Sequence, residues 1–158
     1  MDEKRVMLRH TLATVAYRGG KAVRNAPPGF AECRAGETSR SAGEILAHVG
    51  DLYDWALGLA KGTHLWHDSK PMAWDLEVAR FFSSLAAFDA YIAGEQPLGF
   101  PAEHLFQGPI ADSLTHIGQI AMLRRLAGSP LLGENYFKAD ISAGRIDVVQ
   151  PAPRREFD

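Results

Sequence analysis

The sequence predicts an all-α protein, a bundle of four helices followed by an irregular C-terminal tail. Four segments repeat apolar residues at spacings of three and four, which is the period of one face of an α-helix. No segment shows the alternation of apolar and polar residues that is typical of a half-buried strand. Stretches rich in glycine and proline separate the four segments, so each is expected to form a helix of its own.

The first two helices have clear sequence signals. The first runs from about Glu3 to Asn25, and Gly19-Gly20 within it favours either close helix contact or a bend. An irregular loop follows. The second helix is predicted to begin after Ser41, because Ser41 and Glu44 have the spacing of a capping box. Lys61-Gly62 is typical of a helix end.

The third and fourth helices follow the same logic. The third begins near Met72 to Asp75, where the preceding Pro71 suits a helix start, and Gly94 suits a C-terminal cap. The fourth spans roughly Pro109 to Ala127. Its apolar residues cover most of its circumference, which predicts a buried helix.

The 158 residues fit one domain without an internal linker. The helical core is expected at about residues 3–128, and residues 129–158 form the tail. That tail is rich in proline, so it is expected either to pack as an extended strap or to fray.

Charge and composition exclude several classes of partner. The 17 Lys and Arg are matched by 19 Asp and Glu and form no basic stripe, which argues against nucleic acid. The pair Arg124-Arg125 is explained by the dipole at a helix C-terminus. No apolar run approaches the ~18 residues of a membrane span, and no signal peptide is visible, so a cytoplasmic location without membrane contact is expected. The lone Cys33 sits in a polar loop, which argues against a nucleophilic role.

Three polar residues stand out within the apolar helices: His48, Asp112 and His116. Asp112 and His116 are four apart, so they share one face of the fourth helix. Two imidazoles and one carboxylate from neighbouring helices are a suitable ligand set for a divalent transition metal with open positions. The alternative is that this face meets solvent and Asp112 is an early-helix acid favoured by the dipole.

The residues near this triplet also have two possible roles, one in support of the site and one at the solvated surface. Asp51 either orients the His48 imidazole as a hydrogen-bond acceptor or belongs to the solvated face, as Asp54 is expected to. Trp55 is expected beside His48, and Gln119 shares the face of His116. The remaining histidines, His10, His64, His67 and His104, are expected mainly at the surface. For His64 and His67 the alternative is a place at the rim or entrance of the site.

Two segments resemble the DinB-like family of metal-dependent four-helix bundles. Asp112-Ser-Leu-Thr-His116-Ile-Gly118-Gln119 is similar to the His-x-x-x-His-x-Gly-Gln signature of that family's last core helix. The segment Ser41 to Leu52, which contains His48, is similar to its second helix. The resemblance extends to about Gly128 and excludes the tail.

The resemblance implies a divalent metal held by three side chains. It also implies chemistry that uses low-molecular-weight thiols, and assembly of the chain into a homodimer. Zn, Ni, Mn and Fe are the candidate ions. Asp112 replaces the usual first histidine of the pair, which makes the ligand set harder and favours Mn, Fe or Zn, or else marks a degenerate site. Gly118 is expected to allow close helix packing, and Gln119 to hydrogen-bond near the metal.

These observations predict a metal-dependent enzyme acting on a small molecule, either a hydrolase or a thiol-dependent S-transferase, with the metal on His48, Asp112 and His116. Tyr136 or Lys138 of the tail are weak candidates to close over the site. The alternatives are a non-catalytic metal-binding or stress-response bundle, and a helical interaction protein with a degenerate metal site. Three ligands rather than four favour catalysis.

Overall fold

The computed structural model describes residues 2–157, and nearly all of its regular structure is helical. Four long helices and one short helix form the bundle: α1 (Glu3–Val23), α2 (Ala42–Ala60), α3 (Trp74–Ala93), α4 (Ala102–Leu105) and α5 (Ala111–Leu126). The predicted all-α class is therefore confirmed. None of the described helices is long and apolar enough to cross a membrane.

The predicted cap residues end their helices as expected. The Ser41 hydroxyl accepts a hydrogen bond from the backbone N–H of Glu44, and the Glu44 carboxylate accepts one from the N–H of Ser41. This reciprocal capping box fixes the start of α2 and hence the position of every residue along it. Lys61 and Gly94 are the C-caps of α2 and α3.

The last long helix begins earlier and less regularly than the sequence predicted. The chain is already helical from Ala102, and a π-helical turn (Phe106–Ile110) joins α4 to α5. Pro109 lies inside this wide turn rather than at a helix start. Because proline has no backbone N–H to donate, it is tolerated where regular α-helical hydrogen bonding is already interrupted.

The prediction that α5 is buried around most of its circumference was wrong. Ile117, Ile120 and Leu123 face the core, but Met122 and Leu126 are 56% and 63% exposed. Gly118 is also exposed, and a methyl group at its Cβ position would contact nothing within 4 Å. Gly118 therefore has no role in close helix packing.

The core of the bundle lies between α1, α2, α3 and α5. Large side chains fill it completely, with Tyr53, Phe81 and Phe88 at 0% exposure. At Gly19, a Cβ atom would lie only 2.7 Å from the Phe81 ring. This glycine therefore permits the close contact between α1 and α3, the first of the two roles predicted for the glycine pair.

The tail packs against the bundle as a strap. Its residues Gly133–Glu134 (β1) pair antiparallel with Glu156–Phe157 (β2). The buried Glu134 carboxylate accepts hydrogen bonds from the Tyr17 hydroxyl at 2.5 Å and the Lys21 ammonium at 2.9 Å on α1. Burial and the neighbouring Glu134 carboxylate together raise the pKa of Tyr17, so its hydroxyl stays protonated as the donor.

Arg124 has a structural role that the dipole explanation missed. Its side chain is buried, and its guanidinium donates to the backbone carbonyls of Ala22, Arg24 and Asn25 at the end of α1 and of Ser129 after α5. Because those carbonyls have no helical partner, Arg124 satisfies the ends of two helices at once. Arg125, its neighbour, is exposed.

Candidate metal centre

The structure brings the predicted triplet together at the contact between α2 and α5. Nε2 of His48 lies 3.6 Å from Oδ2 of Asp112, and Nε2 of His116 lies 3.4 Å from Oδ1 of the same carboxylate. One ligand atom from each residue lies within 4.8 Å of the others. The convergence that sequence periodicity left open is therefore present.

These distances are compatible with a metal site. Both nitrogen–oxygen distances, 3.4 and 3.6 Å, exceed the usual hydrogen-bond range of about 2.7–3.2 Å. Two ligands bonded to zinc at about 2.0–2.2 Å lie roughly 3.3–3.6 Å apart at a tetrahedral angle. The donor set of two nitrogens and one oxygen is also one that divalent transition metals accept.

The triplet is buried on its histidine side and open at its carboxylate. The His48 and His116 side chains are only 15% and 12% exposed, whereas Asp112 is 46% exposed. The alternative expectation, that this face simply meets solvent, therefore fails for the two histidines. An ion held here would face solvent on the Asp112 side.

The surroundings keep His48 in the form that binds metals. Burial lowers the pKa of His48, and the positive charge of Arg40 and the neighbouring His116 lower it further, while Asp112 opposes the effect. A neutral imidazole has a free lone pair for a cation. The His48 and His116 rings contact edge to face, with centroids 4.7 Å apart.

Gln119 supports His116 in the way that hydrogen-bonded neighbours support metal ligands. Its Oε1 lies 2.9 Å from Nδ1 of His116. When that oxygen accepts the Nδ1 proton, the lone pair of His116 is at Nε2, which is the atom nearest Asp112. The pair lies on one turn of α5, as the sequence indicated.

An aromatic wall covers the His48 side of the triplet. The Trp66 ring packs against His48 with centroids 5.4 Å apart and against Trp55 at 5.7 Å, and His64 packs on Trp55. Trp66 and His64 belong to the loop between α2 and α3. Trp55 therefore reaches His48 through Trp66, and the loop histidine His64 lies in this wall.

Asp51 does not orient His48, contrary to one of its two predicted roles. Its carboxylate accepts hydrogen bonds from the backbone N–H and the hydroxyl of Ser69 and from the Arg80 guanidinium. It is also almost fully buried, which excludes the solvated-face alternative. Asp51 instead ties the α2–α3 loop and α3 to α2.

A second group, Asp51, Asp54 and His67, also has spacing that a metal could use. Arg80 already lies within it, 2.5 Å from Asp51 and 2.7 Å from Asp54. A guanidinium that neutralises both carboxylates occupies the position a cation would need. This group is best described as an ion-pair network, and sequence reasoning missed it because Arg80 and His67 reach it from other elements.

The remaining candidates lie outside the site. Tyr136 packs against Tyr17 and under the Arg18 guanidinium, so it does not close over the triplet. His10 and His104 are exposed, and the Cys33 thiol lies 3.8 Å from the Gly29 carbonyl. None of these residues belongs to either metal-competent group among the described residues.

In comparisons with known proteins, no family model, no curated protein and no solved structure matches the chain.

Proposed function

We propose that this protein is a divalent-metal enzyme of the DinB-like type, with the ion held by His48, Asp112 and His116. The observation that carries the proposal is the position of the Asp112 carboxylate, 3.6 and 3.4 Å from the Nε2 atoms of two half-buried histidines. Nothing else among the described side chains neutralises Asp112, since its contacts are these two histidines. A cation bound between the three side chains would pair with this carboxylate and with the two imidazole nitrogens.

The number of ligands supports catalysis over a structural role. Structural zinc sites usually have four protein ligands, whereas catalytic sites keep one position for water or substrate. Here three side chains converge and the carboxylate is 46% exposed. A bound ion would act as a Lewis acid and lower the pKa of water or a thiol at neutral pH.

The chemistry of the three ligands limits which metal ions and which types of reaction suit the site. Two nitrogens and one carboxylate oxygen suit Zn, Mn and Fe, and Ni also accepts imidazole. The reaction proposed is hydrolysis or the transfer of a low-molecular-weight thiol. Both need a water or thiol whose pKa is lowered, so that its deprotonated, nucleophilic form is present at neutral pH. His48 and His116 fix the site geometry, and Gln119 positions His116.

Metal binding is the first test. Tag-free protein stripped with a chelator is titrated with Zn²⁺ by calorimetry, alongside His48→Ala, Asp112→Ala and His116→Ala variants. We expect one zinc per chain for the wild type and loss of tight binding in all three variants. His104→Ala, an exposed histidine outside the site, is the matched control. Equal zinc binding by wild type and the three variants would contradict the proposal.

Turnover is the second test. The zinc-loaded and chelator-stripped proteins are compared for hydrolysis of aryl esters and for consumption of small thiols with an electrophilic acceptor. We expect activity in one assay only when metal is bound, and its loss in Asp112→Ala. A protein that binds zinc and shows neither activity would instead be a metal-binding bundle.

A further inference from the structure

A cavity of about 430 Å³ lies directly beside the candidate metal centre. His116 and Gln119 of α5 form part of its wall, so it adjoins one of the proposed metal ligands. The rest of the wall comes from the loop before α2, from α2 itself and from the next turn of α5: Ala35, Ser39, Arg40, Ile45, Met122 and Leu123. Its size is within the usual range for small-ligand sites, about 300–1,000 Å³.

The lining of this cavity is mainly apolar. Ile45, Met122 and Leu123 give it a hydrocarbon surface, and Met122 is 56% exposed. An exposed methionine is costly to leave in water and adapts to ligands of different shape. Its polar side chains are Ser39, Arg40, His116 and Gln119, and a mainly apolar wall with a few polar groups is typical of a small-ligand site.

Arg40 is the Lys or Arg of this cavity's lining, its side chain is exposed, and no described residue forms an ion pair with it. Among the described residues no carboxylate lies within ion-pair distance of Arg40, and the nearby Glu44 is already bound to Arg34 at 3.0 Å. Arg40 also lines a second depression that contains His48. Arg40 therefore borders both the depression that contains His116 and the one that contains His48, and its charge contributes to the lowered pKa of His48.

We propose that this cavity binds small organic carboxylates, with the carboxylate on Arg40 and the apolar body against Ile45, Met122 and Leu123. In this position, the ligand atoms that adjoin its carboxylate would lie beside His116. The proposal rests on the proposed function for the identity of the reacting centre, and it names the substrate class: apolar acyl or aryl compounds that carry one negative charge.

A single negative charge is favoured over a dianionic phosphate. Arg40 supplies one positive charge to the cavity, and the Asp112 carboxylate lies close by, in contact with His116. A guanidinium binds a carboxylate with two parallel hydrogen bonds. A second negative charge on the ligand would have no second Lys or Arg in the lining to pair with.

Octanoate is the probe that tests this inference. Chelator-stripped protein is titrated with octanoate, 1-octanol, acetate and octyl phosphate by calorimetry, so that octanoate cannot bind through a metal. We expect octanoate to bind best. Arg40→Gln should weaken it about 10- to 100-fold through loss of a charge-assisted hydrogen bond. Met122→Glu should weaken it similarly by placing a charge in the apolar wall.

The matched controls lie on α5, the helix of Met122, and outside the cavity. Arg125→Gln and Leu126→Glu change an exposed arginine and an exposed apolar residue, and both should leave octanoate binding unchanged. The inference is overturned if Arg40→Gln binds octanoate as wild type does, if 1-octanol or octyl phosphate binds as tightly, or if acetate does.

Zinc titration of the same samples separates this inference from the proposed function. Zinc binding without octanoate binding would overturn the carboxylate site and leave the metal enzyme standing. Octanoate binding without zinc binding would overturn the metal enzyme and establish the cavity as a carboxylate site.

Discussion

Gln119 is hydrogen-bonded to Nδ1 of His116, the ring nitrogen that does not face Asp112. Its Oε1 lies 2.9 Å from Nδ1, while Nε2 of His116 points to the Asp112 carboxylate at 3.4 Å. The two ring nitrogens of one imidazole thus have different partners, and only one is free to bind an ion. Gln119 therefore sets the tautomer of His116 through a contact within one helical turn.

Removing this contact should weaken metal binding without unfolding the protein. For Gln119→Ala we expect zinc affinity to fall about 10- to 100-fold, because His116 loses its orientation and its tautomer preference. Gln119→Glu retains an acceptor and should keep most of the affinity. Calorimetric titration gives both values, with Gln96→Ala, an exposed glutamine outside α5, as the control. Unchanged affinity in Gln119→Ala would show that Gln119 does not position the ligand.

Loss of the Asp51 carboxylate should destabilise the protein strongly. Asp51→Ala leaves the half-buried Ser69 donors and part of the Arg80 charge without their partner. We expect the free energy of unfolding to fall by about 3 kcal/mol, measured by urea denaturation. Asp54→Ala removes the more exposed carboxylate of the same network and should cost less than about 1 kcal/mol. Equal losses would show that burial does not distinguish the two carboxylates.

The same residue should make stability depend on acid pH. Burial alone would raise the pKa of Asp51, but hydrogen bonds from Arg80 and Ser69 outweigh it and lower the pKa below its ordinary 3.8. The charged form is therefore favoured by folding. Its contribution is present above pH 3.8 and is lost as the pH falls below that value towards the lower folded pKa.

Urea midpoints at falling pH check this dependence. The stability difference between wild type and Asp51→Asn should be constant from about pH 7 to pH 5 and should shrink below about pH 4. Asp54→Asn serves as the reference for a more exposed carboxylate. A difference that grows in acid would mean that the pKa of Asp51 is raised rather than lowered.

Arg124→Met should lower the free energy of unfolding by about 3 kcal/mol, because it leaves four backbone carbonyls at two helix ends, that of Ala22 fully buried, without their donor. Arg124→Lys should recover little of this, since a single ammonium cannot reproduce the fork of a guanidinium. Arg125→Met, at the exposed neighbour, should change stability by less than about 0.5 kcal/mol. Urea denaturation of the three variants measures the effect, and a mild Arg124→Met variant would refute the assigned role.

Tyr17→Phe should loosen the tail. The variant deprives the buried Glu134 carboxylate of one of its donors and leaves Lys21 as the other. We expect a loss of about 1–2 kcal/mol in stability and faster proteolysis of residues 129–157. Tyr91→Phe, which removes an exposed hydrogen bond to the Pro97 carbonyl, is the control. Unchanged proteolysis would mean that other contacts hold the strap.

The helices and the triplet could be predicted from sequence because their signals are local. The Ser41–Glu44 capping box and the Gly94 cap each involve residues within one turn of a helix end. Asp112 and His116 share a face by spacing alone. That His48 meets them follows from the packing of α2 on α5, which the family resemblance supplied and periodicity did not.

The features that sequence missed depend on contacts between distant segments. Arg124 reaches carbonyls about 100 residues away, and Arg80 meets Asp51 from another helix. Such partners leave no periodic pattern. The exposure of Met122 also escaped prediction, because an apolar residue that lines an open cavity looks in sequence like one that fills the core.

The π-helical turn at Phe106–Ile110 determines the direction, around the helix axis, in which each side chain of α5 points. Such a turn holds one more residue than an α-helical turn, which rotates the later side chains by about 100° relative to an uninterrupted α-helix. Asp112 and His116 face His48 in this orientation. The candidate metal centre therefore depends on backbone length as much as on its three ligands. Deleting one residue from the turn would rotate two of those ligands away from the third and leave their identities unchanged.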